Sequence, residues 1–202
     1  MIEILKFISR GIIRTVLYII LKIFYGMNAK GKENIPKGEP LIFCGNHKSF
    51  FDPIAIVLTA GRKMRFVAKE ELKRNIFTRY VCWSFNCIYV KRDKKDIDAI
   101  KQCLKTLKEG GCLGIFPEGT RNGMQKNNGE IQNGAGYLAL KTNVKIVPIG
   151  IKGKSKPFTK NTVIYGKPFN FKELEKNEID KKQIEEIANN KIKEEIINLL
   201  NV

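Results

Sequence analysis

The sequence has a single histidine, and its five cysteines include no Cys-x2-Cys pair. One histidine cannot supply a histidine cluster, and this cysteine spacing is not that of a structural zinc site. An odd number of cysteines gives no indication of a disulfide framework either. We therefore expect no metal or redox cofactor. We also expect most of the cysteines to be reduced core residues in a cytoplasmic setting; they are Cys44, Cys82, Cys87, Cys103 and Cys112.

The sequence also lacks an uncharged apolar run long enough to cross a bilayer. Charges interrupt residues 1–27, where the longest uncharged stretch is residues 15–21. A spanning helix needs about twenty predominantly apolar residues. In a signal peptide the charges precede the apolar part and small residues mark the cleavage site, and neither feature is present here. Neither a membrane span nor a cleaved signal is therefore predicted.

What this first segment does contain is an amphipathic pattern. Lys6, Arg10 and Arg14 recur every four residues among large aliphatic and aromatic side chains, which is typical of a helix lying in the membrane interface. The alternative is a helix that packs on the core of its own domain. We favour the membrane, so residues 1–27 are predicted to be an interfacial helix and residues 28–202 a single domain. The protein would then be peripheral, on the cytoplasmic face of the cell membrane.

Acidic residues are scarce relative to basic ones. The chain has 37 Lys plus Arg against 20 Asp plus Glu, a formal net charge of +17, and residues 62–95 alone hold eleven basic and three acidic residues. Such an excess indicates an anionic partner: a nucleic acid, an acidic membrane surface or a phosphorylated substrate. No helix-turn-helix, zinc-finger or base-stacking signature accompanies the charge. Nucleic acid is therefore not a predicted partner.

Apolar runs that alternate with helical patterns predict the fold class. Strand-like runs occur at residues 41–44, 63–68, 87–90, 112–116, 145–151 and 162–165. Helical patterns occur at residues 53–58, 96–109, 137–141 and 179–200, whereas residues 26–38 are predicted to be a linker and residues 123–136 a loop. This order predicts an α/β fold with a mostly parallel central sheet flanked by helices. In such folds, ligands bind at the carboxyl ends of the strands.

The histidine lies in the turn that follows the first of these strands. His47 and Asp52 are five residues apart, which on a regular helix would separate their side chains by about 140°. Because Pro53 suits the first position of a helix and disfavours a helical Asp52, residues 47–52 are predicted to form a loop that returns the carboxylate to the imidazole. An imidazole held in this way can take a proton from a hydroxyl group near neutral pH. The alternative is that Asp52 only caps the next helix and that His47 is a solvated loop residue.

Four short motifs, each at or behind a predicted strand, complete the pattern. They are Asn46-His47-x4-Asp52, Ile-Tyr-Val-Lys-Arg at residues 88–92, Phe-Pro-Glu-Gly-Thr-Arg at residues 116–121 and Val-Pro-Ile-Gly at residues 147–150. Together they resemble the four motifs of the glycerol-phosphate acyltransferase superfamily, in particular its lysophosphatidate acyltransferases. The resemblance covers about residues 41–151.

The resemblance implies a role for each of these residues. His47 would be the general base, with Asp52 orienting it, and the acceptor's hydroxyl oxygen would attack an acyl thioester directly. Basic side chains would hold the acceptor's phosphate: Lys69, Arg92 and Arg121. Three residues in the turn of the third motif would bind the acceptor: Glu118, Gly119 and Thr120. An alternative role for the carboxylate of Glu118 would be to brace Arg121.

The implied reaction converts lysophosphatidate to phosphatidate in phospholipid synthesis, with acyl-coenzyme A or an acyl-carrier protein as donor and membrane lipid as partner. Two positions depart from the family pattern. Asn86 stands where the second motif often opens with glycine, and Gln132 stands where many relatives have lysine. Glycerol 3-phosphate or another lysolipid therefore remains an alternative acceptor. An interpretation of a different class is a non-catalytic basic module that binds membrane or nucleic acid.

Overall fold

The computed structural model describes residues 2–91, 96–121, 134–154, 156, 158–173 and 180–201. Its helices are α1 (Ile2–Phe24), α2 (Asp52–Ala60), α3 (Ile76–Ser84), α4 (Ile97–Lys108), α5 (Gly134–Thr142) and α6 (Lys181–Asn201). Its strands are β1 (Met27–Lys30), β2 (Leu41–Gly45), β3 (Met64–Lys69), β4 (Ile88–Val90), β5 (Cys112–Ile115), β6 (Lys145–Lys152) and β7 (Asn161–Tyr165). Short 3-10 turns, Lys32–Asn34 and Glu70–Lys73, follow β1 and β3.

The described strands form one sheet in the order β1-β7-β6-β2-β5-β3-β4. Strands β2 to β6 run parallel to one another, whereas β7 is antiparallel to β6 and pairs in parallel with β1. The predicted α/β fold with a mostly parallel central sheet is therefore confirmed. The carboxyl ends of β2 to β6 lie at one side of the sheet, which we call the carboxyl edge.

Side-chain alternation along the central strand β2 divides the core into two layers. Leu41 and Phe43 belong to the layer that α1, α2 and α3 cover, while Ile42 and Cys44 belong to the layer that α4, α5 and α6 cover. Every residue of β2 is buried, as expected for a parallel strand enclosed on both faces. The end of β2 is therefore held firmly from both sides.

Local chemistry accounts for several of the helix ends. Asn75 accepts hydrogen bonds from two backbone N–H groups in the first turn of α3, and Asp96 accepts one from the first turn of α4, so both act as N-caps. Helix α2 ends at Gly61, whose φ of +64° is a left-handed conformation that glycine adopts without strain.

Two of the predicted element boundaries were wrong. Residues 26–38 are not only a linker, because Met27–Lys30 form the edge strand β1, which pairs with β7. The loop predicted for residues 123–136 ends earlier, because α5 begins at Gly134 and buries Ala135 against the sheet. Residues 122–133, with Gln132 among them, lie outside the described residues.

Helix α1 packs on the core along one side, through the buried Leu17 and Leu21. Two of the basic side chains on this helix contact α3: the guanidinium of Arg10 lies 4.5 Å from the centre of the Trp83 ring, and Arg14 donates to a carbonyl oxygen at the end of α3. The side chains of α1 that are exposed include an apolar stripe at helical spacing: Ile8, Ile12, Val16, Ile19 and Ile23. Across the part of the chain that the structure describes, no helix combines the length and the apolar content needed to cross a bilayer.

Candidate active site

The histidine loop, residues 46–51, begins where β2 ends at the carboxyl edge. The buried Asn46 binds both backbone groups of Ile151 on β6: its Oδ1 accepts from the Ile151 N–H at 2.6 Å, and its Nδ2 donates to the Ile151 carbonyl oxygen at 3.1 Å. These bonds extend the β2–β6 pairing beyond the last backbone pair, Gly45 with Ile149. The loop therefore starts from a fixed point of the sheet.

The loop returns the carboxylate of Asp52 to the imidazole. His47 Nδ1 lies 2.9 Å from Asp52 Oδ2, and the same oxygen accepts from the backbone N–H groups of Lys48 at 2.6 Å and Ser49 at 2.7 Å. Asp52 is 2% exposed and is the first residue of α2 after the N-cap Phe51, so the positive end of the helix favours its negative charge. The predicted contact is confirmed, and the alternative in which Asp52 only caps α2 is wrong.

This geometry selects the tautomer of the imidazole. An ionised carboxylate only accepts hydrogen bonds, so Nδ1 must donate, and Nε2 keeps a lone pair. Nε2 can then take a proton from a hydroxyl group. The side chain of His47 is 19% exposed. A substrate can therefore reach the ring while most of its surface is packed.

Two phenylalanines support the plane of the imidazole. The His47 ring stacks on Phe116 with a centroid separation of 4.1 Å and an interplanar angle of 15°, and Phe116 stacks on Phe66 at 5.7 Å and 18°. The Phe66 ring lies over Gly114, where a Cβ atom would come within 2.2 Å of it. A residue larger than glycine at position 114 would therefore disturb the stack beneath the base.

Glu118 holds the backbone of the histidine loop. Its side chain is 3% exposed, and its Oε1 accepts from the backbone N–H of His47 at 3.0 Å. The turn that presents it is closed by a 2.9 Å bond from the Gly119 N–H to the Phe116 carbonyl oxygen. The structure thus gives Glu118 a contact that the sequence did not predict. Acceptor binding and bracing of Arg121 stay predictions for this residue.

His47 lines a cavity of about 210 Å³ at the carboxyl edge. Lys69 from the end of β3 and Arg121 from the turn after β5 line the same cavity, together with the other two residues of that turn, Gly119 and Thr120. Arg92 lies outside the described residues, and its role stays a prediction. Much of the remaining wall is apolar, and it includes Phe50, Ile54, Phe66, Val81 and Phe85.

Two thiols also line this cavity, Cys82 near the end of α3 and Cys87 just before β4. The hydrogen bond to Cys82, together with burial, raises the pKa of the Cys87 thiol, while the same hydrogen bond lowers the pKa of Cys82. Of the two thiols, Cys87 therefore holds its proton more tightly, because its pKa is raised while that of Cys82 is lowered. Sequence spacing did not predict these thiols at the site, because α3 and β4 form one wall only in the folded chain.

Similarity to known proteins agrees with this geometry. The sequence profile of the Acyltransferase family matches residues 26–152, which include the histidine loop and every site residue named above. The chain belongs to the acyltransferase family. The resemblance carried by the four motifs is thereby confirmed, and the acyltransferase domain contains strands β1 to β6.

Three curated relatives of this acyltransferase domain share one enzyme name. The chain is 32% identical over 136 residues to the chloroplastic 1-acyl-sn-glycerol-3-phosphate acyltransferase of Arabidopsis thaliana, covering 66% of this chain and 38% of that protein. It is 33% identical over 135 residues to that of Borreliella burgdorferi (66% and 54%) and 29% identical over 140 residues to that of Bacillus subtilis (69% and 69%). The chain thus spans about half or less of the length of the first two relatives.

A solved structure shows the same fold. The crystal structure of the 1-acyl-sn-glycerophosphate (LPA) acyltransferase of Thermotoga maritima matches with a TM-score of 0.60 and 24% sequence identity, covering 86% of this chain and 71% of that one. At this identity the match establishes the fold alone.

Proposed function

We propose that this protein transfers a fatty acyl group from a thioester donor to the free hydroxyl of lysophosphatidate, and so forms phosphatidate. One observation carries the proposal: the His47–Asp52 pair, with 2.9 Å between Nδ1 and Oδ2, meets a cavity that Arg121 and Lys69 also line. This combination supports the proposal because an imidazole that can accept a proton and two cations that can bind a phosphate line one cavity. The names of the relatives support the same reaction.

The chemistry begins at Nε2 of His47. It removes the proton of the acceptor's hydroxyl as that oxygen attacks the carbonyl carbon of the thioester. Collapse of the tetrahedral intermediate breaks the C–S bond, and the imidazolium returns the proton to the departing thiolate. The carboxylate of Asp52 stabilises the imidazolium in between. Because no atom changes its oxidation state, the proposed reaction requires no redox cofactor, and the absence of a metal stays an expectation from the sequence.

The cations of the cavity suit the acceptor's phosphate. Arg121 can donate paired hydrogen bonds to phosphate oxygens, and Lys69 adds a second positive charge at the same cavity. We include Arg92 as a third cation for the phosphate because it is the last residue of the second motif. The apolar side chains of the wall suit the hydrocarbon part of a substrate.

The donor is proposed to be acyl-coenzyme A or an acyl-carrier protein, both of which are anionic and suit a chain of net charge +17. The exposed apolar stripe of α1 is proposed to hold the protein at a membrane surface as a peripheral protein. The lipid acceptor and the enzyme would then share that surface.

An acceptor and donor panel, run on the wild type beside His47→Ala, tests the proposal. Acyl transfer and thiol release are measured with lysophosphatidate, glycerol 3-phosphate and a neutral lysolipid as acceptors, and with both donors. We expect the fastest transfer to lysophosphatidate. Because general base catalysis contributes about 10²- to 10⁴-fold, His47→Ala should lose turnover by that order while its thermal unfolding midpoint stays close to that of the wild type.

Each alternative predicts another result. A faster transfer to glycerol 3-phosphate or the neutral lysolipid would correct the acceptor. Thiol release that needs no acceptor would indicate a hydrolase. Salt-sensitive binding to duplex nucleic acid without any acyl transfer would support a non-catalytic module. Near-normal turnover of His47→Ala would remove the imidazole from the mechanism.

A further inference from the structure

The connection between β6 and β7 is strongly basic. Its described residues, 152–154, 156 and 158–161, which we call the basic hairpin, include four lysines and no acidic residue. Three of these side chains are exposed: Lys154, Lys156 and Lys160. In the described part of the chain, none of the four lysines forms an ion pair with a carboxylate. The basic hairpin therefore presents concentrated positive charge to its surroundings.

The basic hairpin stands beside the histidine loop. Strand β6 ends at the carboxyl edge, where Asn46 binds both backbone groups of Ile151. One step further, the ammonium group of Lys48 donates to the carbonyl oxygen of Gly153. These bonds join the start of the hairpin to residues on either side of His47, so the hairpin adjoins the histidine loop.

The other side of the basic hairpin is bonded to the end of α1. The side chain of Asn161 donates to the carbonyl oxygen of Tyr25 at 2.8 Å, and its backbone N–H donates to that of Gly26. The exposed apolar stripe of α1 ends at Ile23, only two residues before this junction. The stripe and the basic hairpin are therefore neighbouring parts of one surface.

Phe158, near the middle of the basic hairpin, is exposed in an unfavourable conformation. Its side chain is 81% exposed, and its φ is +58°. Bulky residues rarely adopt the left-handed region, and water does not favour an exposed phenyl ring. Exposure of the ring to water is unfavourable, and it is explained if the ring meets an apolar phase outside the chain.

We propose that the basic hairpin is a second membrane-contact element, which binds an anionic lipid bilayer. The ring of Phe158 enters the boundary between headgroups and acyl chains, and the lysines contact the lipid phosphates. An aromatic ring among lysines, continuous with the apolar stripe of α1, fits a bilayer better than an acidic protein. This inference extends the membrane association of the proposed function, and it orients the histidine loop toward the lipid surface.

Vesicle binding by the full chain tests this inference. Binding is measured by co-sedimentation with vesicles of phosphatidylcholine alone and with added phosphatidylglycerol. One variant carries Lys154→Gln, Lys156→Gln and Lys160→Gln. Its control has the same net charge and carries Lys101→Gln, Lys105→Gln and Lys108→Gln on α4, which covers the opposite face of the sheet from α1.

Each lysine near an anionic surface increases the membrane-binding constant by about fivefold. Because the hairpin variant loses three lysines, it should bind anionic vesicles about a hundredfold more weakly. The affinity of the α4 control for the same vesicles should change by less than about threefold. Phe158→Gly, which relieves the left-handed backbone, should keep or raise the thermal midpoint and still bind about tenfold more weakly, since a phenyl ring has been removed from the interface.

Equal losses in the hairpin variant and the α4 control would overturn the inference, because net charge alone would then explain the binding. Unchanged vesicle binding of the hairpin variant would also overturn the inference. If that variant had instead lost binding to an acidic acyl-carrier protein, the partner of the hairpin would be a protein. The measurement is separate from catalysis. His47→Ala should bind vesicles like the wild type, and a wild type that fails to transfer acyl groups would overturn the proposed function without changing these binding results.

Discussion

Replacing Asp52 by asparagine isolates the charge of the carboxylate from its geometry. Two backbone N–H groups, those of Lys48 and Ser49, donate to Oδ2, so the amide oxygen of the introduced side chain must occupy the same position. That oxygen still accepts from His47 Nδ1, and the tautomer of the imidazole is retained. What is lost is the negative charge beside a ring that becomes cationic as it accepts the proton.

The size of this loss follows from the contact distance. Unit charges about 4 Å apart interact by about 4 kcal/mol at an effective dielectric constant of 20, and partial charge development in the transition state uses about half of that or more. We therefore expect Asp52→Asn to lower turnover by about 30- to 1000-fold. The free energy of unfolding should change by no more than about 1 kcal/mol, because both backbone bonds persist and only the interaction with the helix dipole weakens.

Acyl transfer to lysophosphatidate, with the released thiol measured continuously, gives the turnover. The matched control is Asp96→Asn, because Asp96 also accepts two backbone N–H groups, from Lys91 at 2.9 Å and Ala99 at 3.0 Å, at a helix start that does not line the cavity. The control should keep turnover within about twofold of the wild type. If Asp52→Asn were equally mild, the charge of Asp52 would have no role in the reaction, and the argument for an imidazolium intermediate would fail.

Two further predictions concern the other charged residues of the site. Glu118→Gln, which keeps an acceptor for the backbone N–H of His47, should stay close to wild-type turnover. Glu118→Ala should cost about 1–3 kcal/mol of stability and lower kcat. If Glu118→Ala instead increased KM for the acceptor and left kcat unchanged, Glu118 would be assigned to acceptor binding. Arg121→Ala should raise KM for lysophosphatidate about tenfold to a hundredfold, the range for a hydrogen bond to a charged group, and should leave the rate with a phosphate-free acceptor unchanged. An equal fall with both acceptors would argue against phosphate contact.

The strands around the site were predictable because strands buried on both faces are nearly continuous apolar runs. Strand β1 was missed, since Met27–Lys30 is a short edge strand whose stability comes from pairing with β7, more than a hundred residues away. The direction of Arg10 and Arg14 was also missed. Helical spacing shows that both lie on one face of α1, but only packing places that face on α3.

The candidate site also combines contacts that the sequence predicts with contacts that it does not predict. The contact between His47 and Asp52 was predictable, because spacing and Pro53 restrict the loop between them. The supporting roles of Phe116 and Glu118 were not. They depend on β5 pairing with β2 in the sheet, which brings the turn after β5 beneath the histidine loop.

By itself, the sequence determined the alternation of strands and helices, the turn that carries the base, and the family to which its motifs belong. These features depend on backbone sterics and side-chain periodicity within a few residues. The tertiary structure alone decided which turns meet at the carboxyl edge, what supports the imidazole ring, and that the basic hairpin adjoins the apolar stripe of α1. Those arrangements arise from pairing between strands far apart in the chain, and the order in which strands pair is set by packing of the whole core rather than by any local pattern.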